Sequence, residues 1–164
     1  MATIKYYAAA LAASLAFALP VGGASAATVV NVELWDKGND VPMGTNMAFD
    51  TPSLDMSKAT MGTKAIPAKA PAGVVTFHVK NSSKDTVHEL IVMYLVDPTK
   101  PLPYVDKDSK VDEAKTADKG EVSELQPGKS GSLTVVLKPG KYLLICDVAG
   151  HFAAGMWSEF EVTK

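Results

Sequence analysis

The sequence predicts an all-β domain, a Greek-key β-sandwich of about seven or eight strands. Three observations predict it. Short runs rich in Val, Ile, Leu, Phe and Tyr recur along the chain, divided by Pro, Gly, Asn and Asp clusters that mark turns. Several of these runs alternate apolar and polar residues, as a half-buried strand does. The one helix the sequence suggests, Asp112–Ala117 behind an N-cap-like Ser109-Lys-Val-Asp112, is short.

Residues 1–26 read as a secretory signal peptide rather than as part of the domain. Lys5 gives the start its one positive charge, Ala8–Leu19 is apolar, and Ala24-Ser-Ala26 offers small residues for cleavage before Ala27. The apolar run falls short of the roughly 20 residues that span a bilayer. The chain contains no Arg, so the twin-Arg route is excluded, and no Cys near the cleavage point could carry a lipid. Removal leaves 138 of the 164 residues, enough for one domain (27–164) with its own core. Its 15 Lys against 18 acids give no nucleic-acid signal. An exported, periplasmic protein with a single Cys can form no internal disulfide, and a metal bond would explain that Cys.

Thr28–Trp35 is the first strand, with Val30, Val32 and Leu34 on one face and Val29, Asn31, Glu33 and Trp35 on the other. Residues 41–62 hold Met43, Met47, Met56 and Met61, four of the six methionines after the leader, and carry Pro42, Gly44, Pro52 and Gly62 against regular structure. Thioethers fill irregular gaps in a loop-rich lid. They are also Cu(I) ligands, so an additional Cu(I) site there is the competing reading. Ala65–Gly73 reads as a turn region, and Val74–Lys80 as a strand that places His78 on the polar face. After the turn Asn81–Thr86 comes His88–Val96, strongly apolar and therefore central. Asp97–Gly120 is a long polar connection. Glu121–Leu125, Ser132–Leu137, Lys141–Cys146 and Trp157–Val162 complete the strands, with Pro139-Gly140 turning into the strand of Cys146.

The chemistry concentrates between the last two strands. Cys146, His151 and Met156 lie in a strand–loop–strand unit in which Gly150, Ala153, Ala154 and Gly155 keep the loop small, and the two glycines can take dihedrals closed to other residues. A lone Cys is usually an inert buried residue, and a Met after a Gly is usually core. Thiolate, imidazole and thioether at fixed spacing in one loop are instead the donors of a blue-copper site, which needs one more His. His88, at the start of the central strand, is the candidate.

Cys-x4-His-x4-Met before a final strand, with an upstream His after an Asn/Ser/Lys turn, resembles the cupredoxins, and the loop spacing is most similar to the rusticyanin and auracyanin members. The resemblance covers residues from about 28 onward. It implies one type 1 copper ion held by His88, Cys146, His151 and, weakly, Met156. It also implies a monomeric one-electron carrier whose redox partner proteins dock near His151, through an apolar patch including Phe152, Ala153 and Ala154. Many cupredoxins carry Asn or Ser directly after the upstream His, where it ties the two ligand loops together. This chain has Glu89, which departs from that clamp; an ionised carboxylate so close would favour Cu(II) and lower the potential. The competing function is copper tolerance or delivery using the Met-rich segment. With three histidines, two of them in the site, the chain cannot build a trinuclear or separate catalytic copper centre, so it is not expected to be an enzyme.

Overall fold

A computed structural model describes residues 27–164. The signal-peptide assignment of residues 1–26 lies outside the described residues. Eleven strands form among the described residues, against the seven or eight expected, and the architecture is the expected all-β sandwich.

The first sheet joins β2 (Met61–Ile66), β1 (Thr28–Asp36), β4 (Gly73–Asn81) and β9 (Ser130–Leu137) in that order, with β1 and β4 parallel. Alternation sets its faces. Val30, Val32 and Leu34 of β1 and Val75, Phe77 and Val79 of β4 are buried, while His78 is exposed as its position in the pattern requires. The second sheet runs β3 (Lys69–Pro71), β11 (Trp157–Thr163), β10 (Gly140–Ile145), β5 (His88–Tyr94) and β8 (Ala117–Leu125). The inward faces pack together around Phe77 and Phe160, whose rings meet edge to face at 5.3 Å.

β5 is apolar on both faces because both are covered. Leu90 and Val92 join the core between the sheets, whereas Ile91 and Met93 join Leu143, Ile145, Phe49 and Phe152 in a second core on the outer face. Two long connections supply that cover. The segment between β1 and β2 brings Phe49 edge to face with Trp157 at 5.3 Å, and the Trp157 indole N–H donates to the Met47 carbonyl at 2.7 Å. The connection after β5 adds Leu102, Tyr104 and Val111, the last two from a small hairpin of β6 (Tyr104–Val105) and β7 (Lys110–Val111).

Three local expectations change. The turn region expected at Ala65–Gly73 contains β3, and Met61–Ile66 is a strand; each is stabilised by pairing with a partner strand, β11 or β1, more than by its own composition. The helix expected at Asp112–Ala117 is a single 3-10 turn at Glu113–Lys115, and Asp112 makes no side-chain cap there. Among the described residues no helix is long and apolar enough to cross a membrane.

Candidate metal centre

Three neighbouring strands deliver three of the predicted ligands to one end of the second sheet. β10 pairs antiparallel with both β5 and β11, through Ile145↔Ile91 and Ile145↔Trp157. Cys146 follows β10, Met156 precedes β11 and His88 opens β5, so the three fall at adjacent strand ends. The Cys146 N–H donates to the Met156 carbonyl at 3.0 Å, which closes the base of the loop.

The loop then folds back on itself. The His151 N–H donates to the Val148 carbonyl at 2.9 Å, and the Met156 N–H to the His151 carbonyl at 3.0 Å. Gly150 and Gly155 take φ of +84° and +99°, the left-handed region anticipated from the sequence. A Cβ at Gly150 would lie 2.9 Å from Met43 Cε. The lid is tied here as well, since the Met47 N–H donates to the Ala153 carbonyl at 2.9 Å.

His88 is set by the turn before it. Asn81, fully buried at the end of β4, donates from Nδ2 to the carbonyls of Thr86 at 2.9 Å and Leu125 at 2.8 Å, and accepts the Ser83 N–H at 2.9 Å. This fixes residues 81–87 and so the entry into β5. The His88 ring stands between two groups. Its Nε2 lies 2.7 Å from the Asp36 carboxylate and its Nδ1 lies 3.2 Å from His151 Nδ1.

Cys146 Sγ is 3.4 Å from His151 Nδ1 and 4.0 Å from His88 Nδ1, completing a buried triangle with edges of 3.2, 3.4 and 4.0 Å. A metal ion with bonds of about 2.0–2.3 Å in a trigonal plane needs edges of roughly 3.5 Å. The triangle therefore fits such an ion, and a thiolate with two imidazoles suits copper. Met156, fully buried, shares the core cluster of Cys146.

Burial decides the protonation of these groups. It pushes the Cys146 thiol up to about 12, opposed only in part by the N–H groups of Glu89 and Val148. Desolvation, with the neighbouring His88, drives His151 down to about 4. It lowers His88 too, although Asp36 opposes the shift. Burial acts upward on Asp36, but hydrogen bonds from Ser83, His88 and the Gly38 N–H outweigh it and hold the carboxyl below its ordinary range.

Glu89 fills the clamp position. Its Oε1 accepts the Asp147 N–H at 3.1 Å, and its own N–H points at Cys146 Sγ at 3.4 Å. The departure seen in the sequence thus replaces the expected residue type and retains a tie between the two ligand segments. Desolvation raises the Glu89 carboxyl. Asp147, raised to about 6 by burial, accepts the Val111 N–H at 2.7 Å and anchors the β6–β7 hairpin beside the site.

Of the apolar patch expected from Phe152, Ala153 and Ala154, only Ala153 stays partly exposed. Phe152 and Ala154 are buried, because Phe152 packs into the second core under Tyr104. His151, 6 % exposed, instead lines a cavity of about 250 Å³ with Asp36, Val41, Pro42, Met43 and Met61. Asp36 and Asp147 were not among the residues singled out from sequence. Asp147 had the signal of adjacency to Cys146; Asp36 had none, since only the fold brings the end of β1 to β5.

No curated protein sequence matches this chain. Among solved structures it is similar to reduced auracyanin from Roseiflexus castenholzii, with 19 % identity, 86 % of this chain and 100 % of that chain covered, and a TM-score of 0.51. It is also similar to rusticyanin from Thiobacillus ferrooxidans, with 18 % identity, coverage of 83 % and 78 %, and a TM-score of 0.51. Rusticyanin is described as a copper protein. At these identities the likeness is one of fold. The sulfocyanin (SoxE) domain family matches residues 45–164, well over half of the chain and inclusive of His88, Cys146, His151 and Met156. The chain therefore belongs to the sulfocyanin (SoxE) domain family.

Proposed function

We propose that this protein is an extracytoplasmic type 1 copper protein that shuttles single electrons between redox partners. The observation that carries the reading is the buried triangle of His88 Nδ1, Cys146 Sγ and His151 Nδ1. One copper ion held there by His88, Cys146 and His151, with Met156 as a weaker fourth donor, would supply a Cu(II)/Cu(I) couple. The chain's own part is rigidity. Strands β5, β10 and β11 fix the ligand-bearing ends, and the Glu89–Asp147 bond ties two of them together. Such a frame opposes the rearrangement that a change of oxidation state would otherwise bring. The lid and the second core keep water from Cys146, which is fully buried.

Redox partners would dock over the cavity that reaches His151, whose rim is built by Val41, Pro42 and Met43 in place of the Phe152 patch. The donor count supports a carrier rather than an enzyme. Of the three histidines two are in the site, and His78 lies exposed on the outer face of the other sheet. Export to the periplasm rests on the leader-like residues 1–26, and a monomer remains the expected state.

A second reading, copper tolerance or delivery with further Cu(I) on thioethers, draws on Met43 and Met61 lining the same cavity as His151. Against it, Met47 and Met61 are buried as packing residues are, while Met43 and Met56 are exposed.

The deciding experiment is the visible spectrum after loading with one equivalent of Cu(II). Intense thiolate-to-copper absorption in the wild type, lost in Cys146→Ser, is the expected result. A colourless wild type that nonetheless binds Cu(II) would overturn the type 1 assignment.

A further inference from the structure

The His88 ring is held from behind by a group that the ligand motif does not contain. Asp36 is the last residue of β1, and its side chain is 5 % exposed against a fully buried His88. Oδ2 lies 2.7 Å from Nε2, while Oδ1 accepts the Gly38 N–H at 2.8 Å. Both oxygens are thus engaged, and the carboxylate cannot swing away without breaking the turn after β1.

The consequence for His88 follows from donor counting. An ionised carboxylate only accepts hydrogen bonds, so the shared proton sits on Nε2. A neutral imidazole has a single N–H, so Nδ1 carries the lone pair. Nδ1 is the atom that faces His151 and Cys146. The tautomer needed for coordination is therefore selected by β1. A backbone carbonyl behind the ring would orient it equally well; a carboxylate adds a full negative charge that polarises the imidazole and raises its basicity as a ligand. Asp36 also precedes the segment matched by the family, residues 45–164, so that match does not supply it.

We propose that Asp36 is the positioning residue of the site: it fixes His88 as the Nδ1-coordinating tautomer and, through its charge, biases the centre toward Cu(II) over Cu(I). The inference deepens the type 1 reading and rests on it for the copper preference, while the tautomer is a property of the chain alone.

Asp36→Asn is the test, because it keeps size and hydrogen-bonding capacity and removes the charge. In the metal-free wild type, nitrogen-15 NMR should show His88 protonated at Nε2. In Asp36→Asn the amide can donate to Nε2, so the Nδ1-protonated tautomer should gain population. Titration against competing chelators should show Cu(II) affinity reduced about 10–100-fold, with Cu(I) affinity reduced less and the reduction potential raised accordingly. Asp36→Glu, which restores the charge, should recover part of the difference between the oxidation states. A wild-type His88 protonated at Nδ1 would overturn the proposal even if the variant failed to fold. Equal losses for Cu(I) and Cu(II) in a folded variant would overturn the charge effect and leave Asp36 as a structural residue. A colourless copper-loaded wild type with the Nε2 tautomer intact would reject the type 1 reading and leave the positioning role standing.

Discussion

Glu89 Oε1 accepts the backbone N–H of Asp147 at 3.1 Å, joining the residue after His88 to the residue after Cys146. Both partners are buried. The bond holds the two ligand-bearing strand ends in register beyond the point where the β5–β10 ladder stops. It also places a titratable carboxyl beside the proposed copper centre.

Glu89→Ala leaves the buried Asp147 N–H without its acceptor, and should cost about 1–3 kcal/mol in urea unfolding of the metal-free protein. Glu89→Gln retains an acceptor oxygen and should cost less. The same pair separates clamp from charge. Desolvation raises the Glu89 carboxyl, and its ionised form favours Cu(II), so the wild-type potential should fall as pH rises through its titration. Glu89→Gln should remove that slope and sit higher on the alkaline side. Superimposable potential–pH curves for the two proteins would show that the charge does not tune the site.

Met156→Leu keeps the apolar volume of a fully buried side chain and should change stability by less than about 1.5 kcal/mol. The copper-loaded variant should keep its colour, which comes from Cys146, and show a raised potential because the weak donor to Cu(II) is gone. A potential equal to the wild type's would remove Met156 from the ligand set.

Copper uptake should release about one proton per Cu(II) at pH 7. The thiol, pushed up to about 12, is protonated there, while His151, driven down to about 4, is already neutral. Acidification therefore weakens binding, by roughly tenfold per pH unit while the thiol alone competes. Calorimetry in two buffers of different ionisation enthalpy measures the number. No proton released would contradict a protonated thiol as the ligand, and two would mean that a second group near the site, a histidine or a buried carboxyl, is also protonated at neutral pH.

The Met-rich segment gives a fourth test. Met47 is buried in the lid and Met61 in the core between the sheets, so Met47→Ala should cost about 2–5 kcal/mol. Replacing Met43, Met47, Met56 and Met61 together with Leu should preserve the fold and the colour. A chelator titration should find one Cu(I) equivalent in both proteins. Two or more in the wild type alone would favour copper handling over simple electron carriage.

The sandwich and its faces could be read from the sequence alone, and so could the candidate donors of one loop. Val30, Val32 and Leu34 announced the inner face of β1 through a period of two, which needs no knowledge of the partner strand. Cys146, His151 and Met156 were legible as candidates because one short loop holds them and strand patterns flank it. His88 could be read because a turn and an unbroken apolar strand fix its place at a sheet end. Their surroundings depend on how distant segments pack. Phe152 looked like a surface residue in a small loop, yet the second core beneath Tyr104 and Phe49 takes it inside. β3 exists because β11 offers it an edge. Asp36 meets His88 across 52 positions of chain, and Glu89 meets Asp147 across 58. Contacts at such separation depend on sheet order and register, which local propensity does not encode, so the carboxylates beside His88 and Asp147 are placed only once the strands are paired.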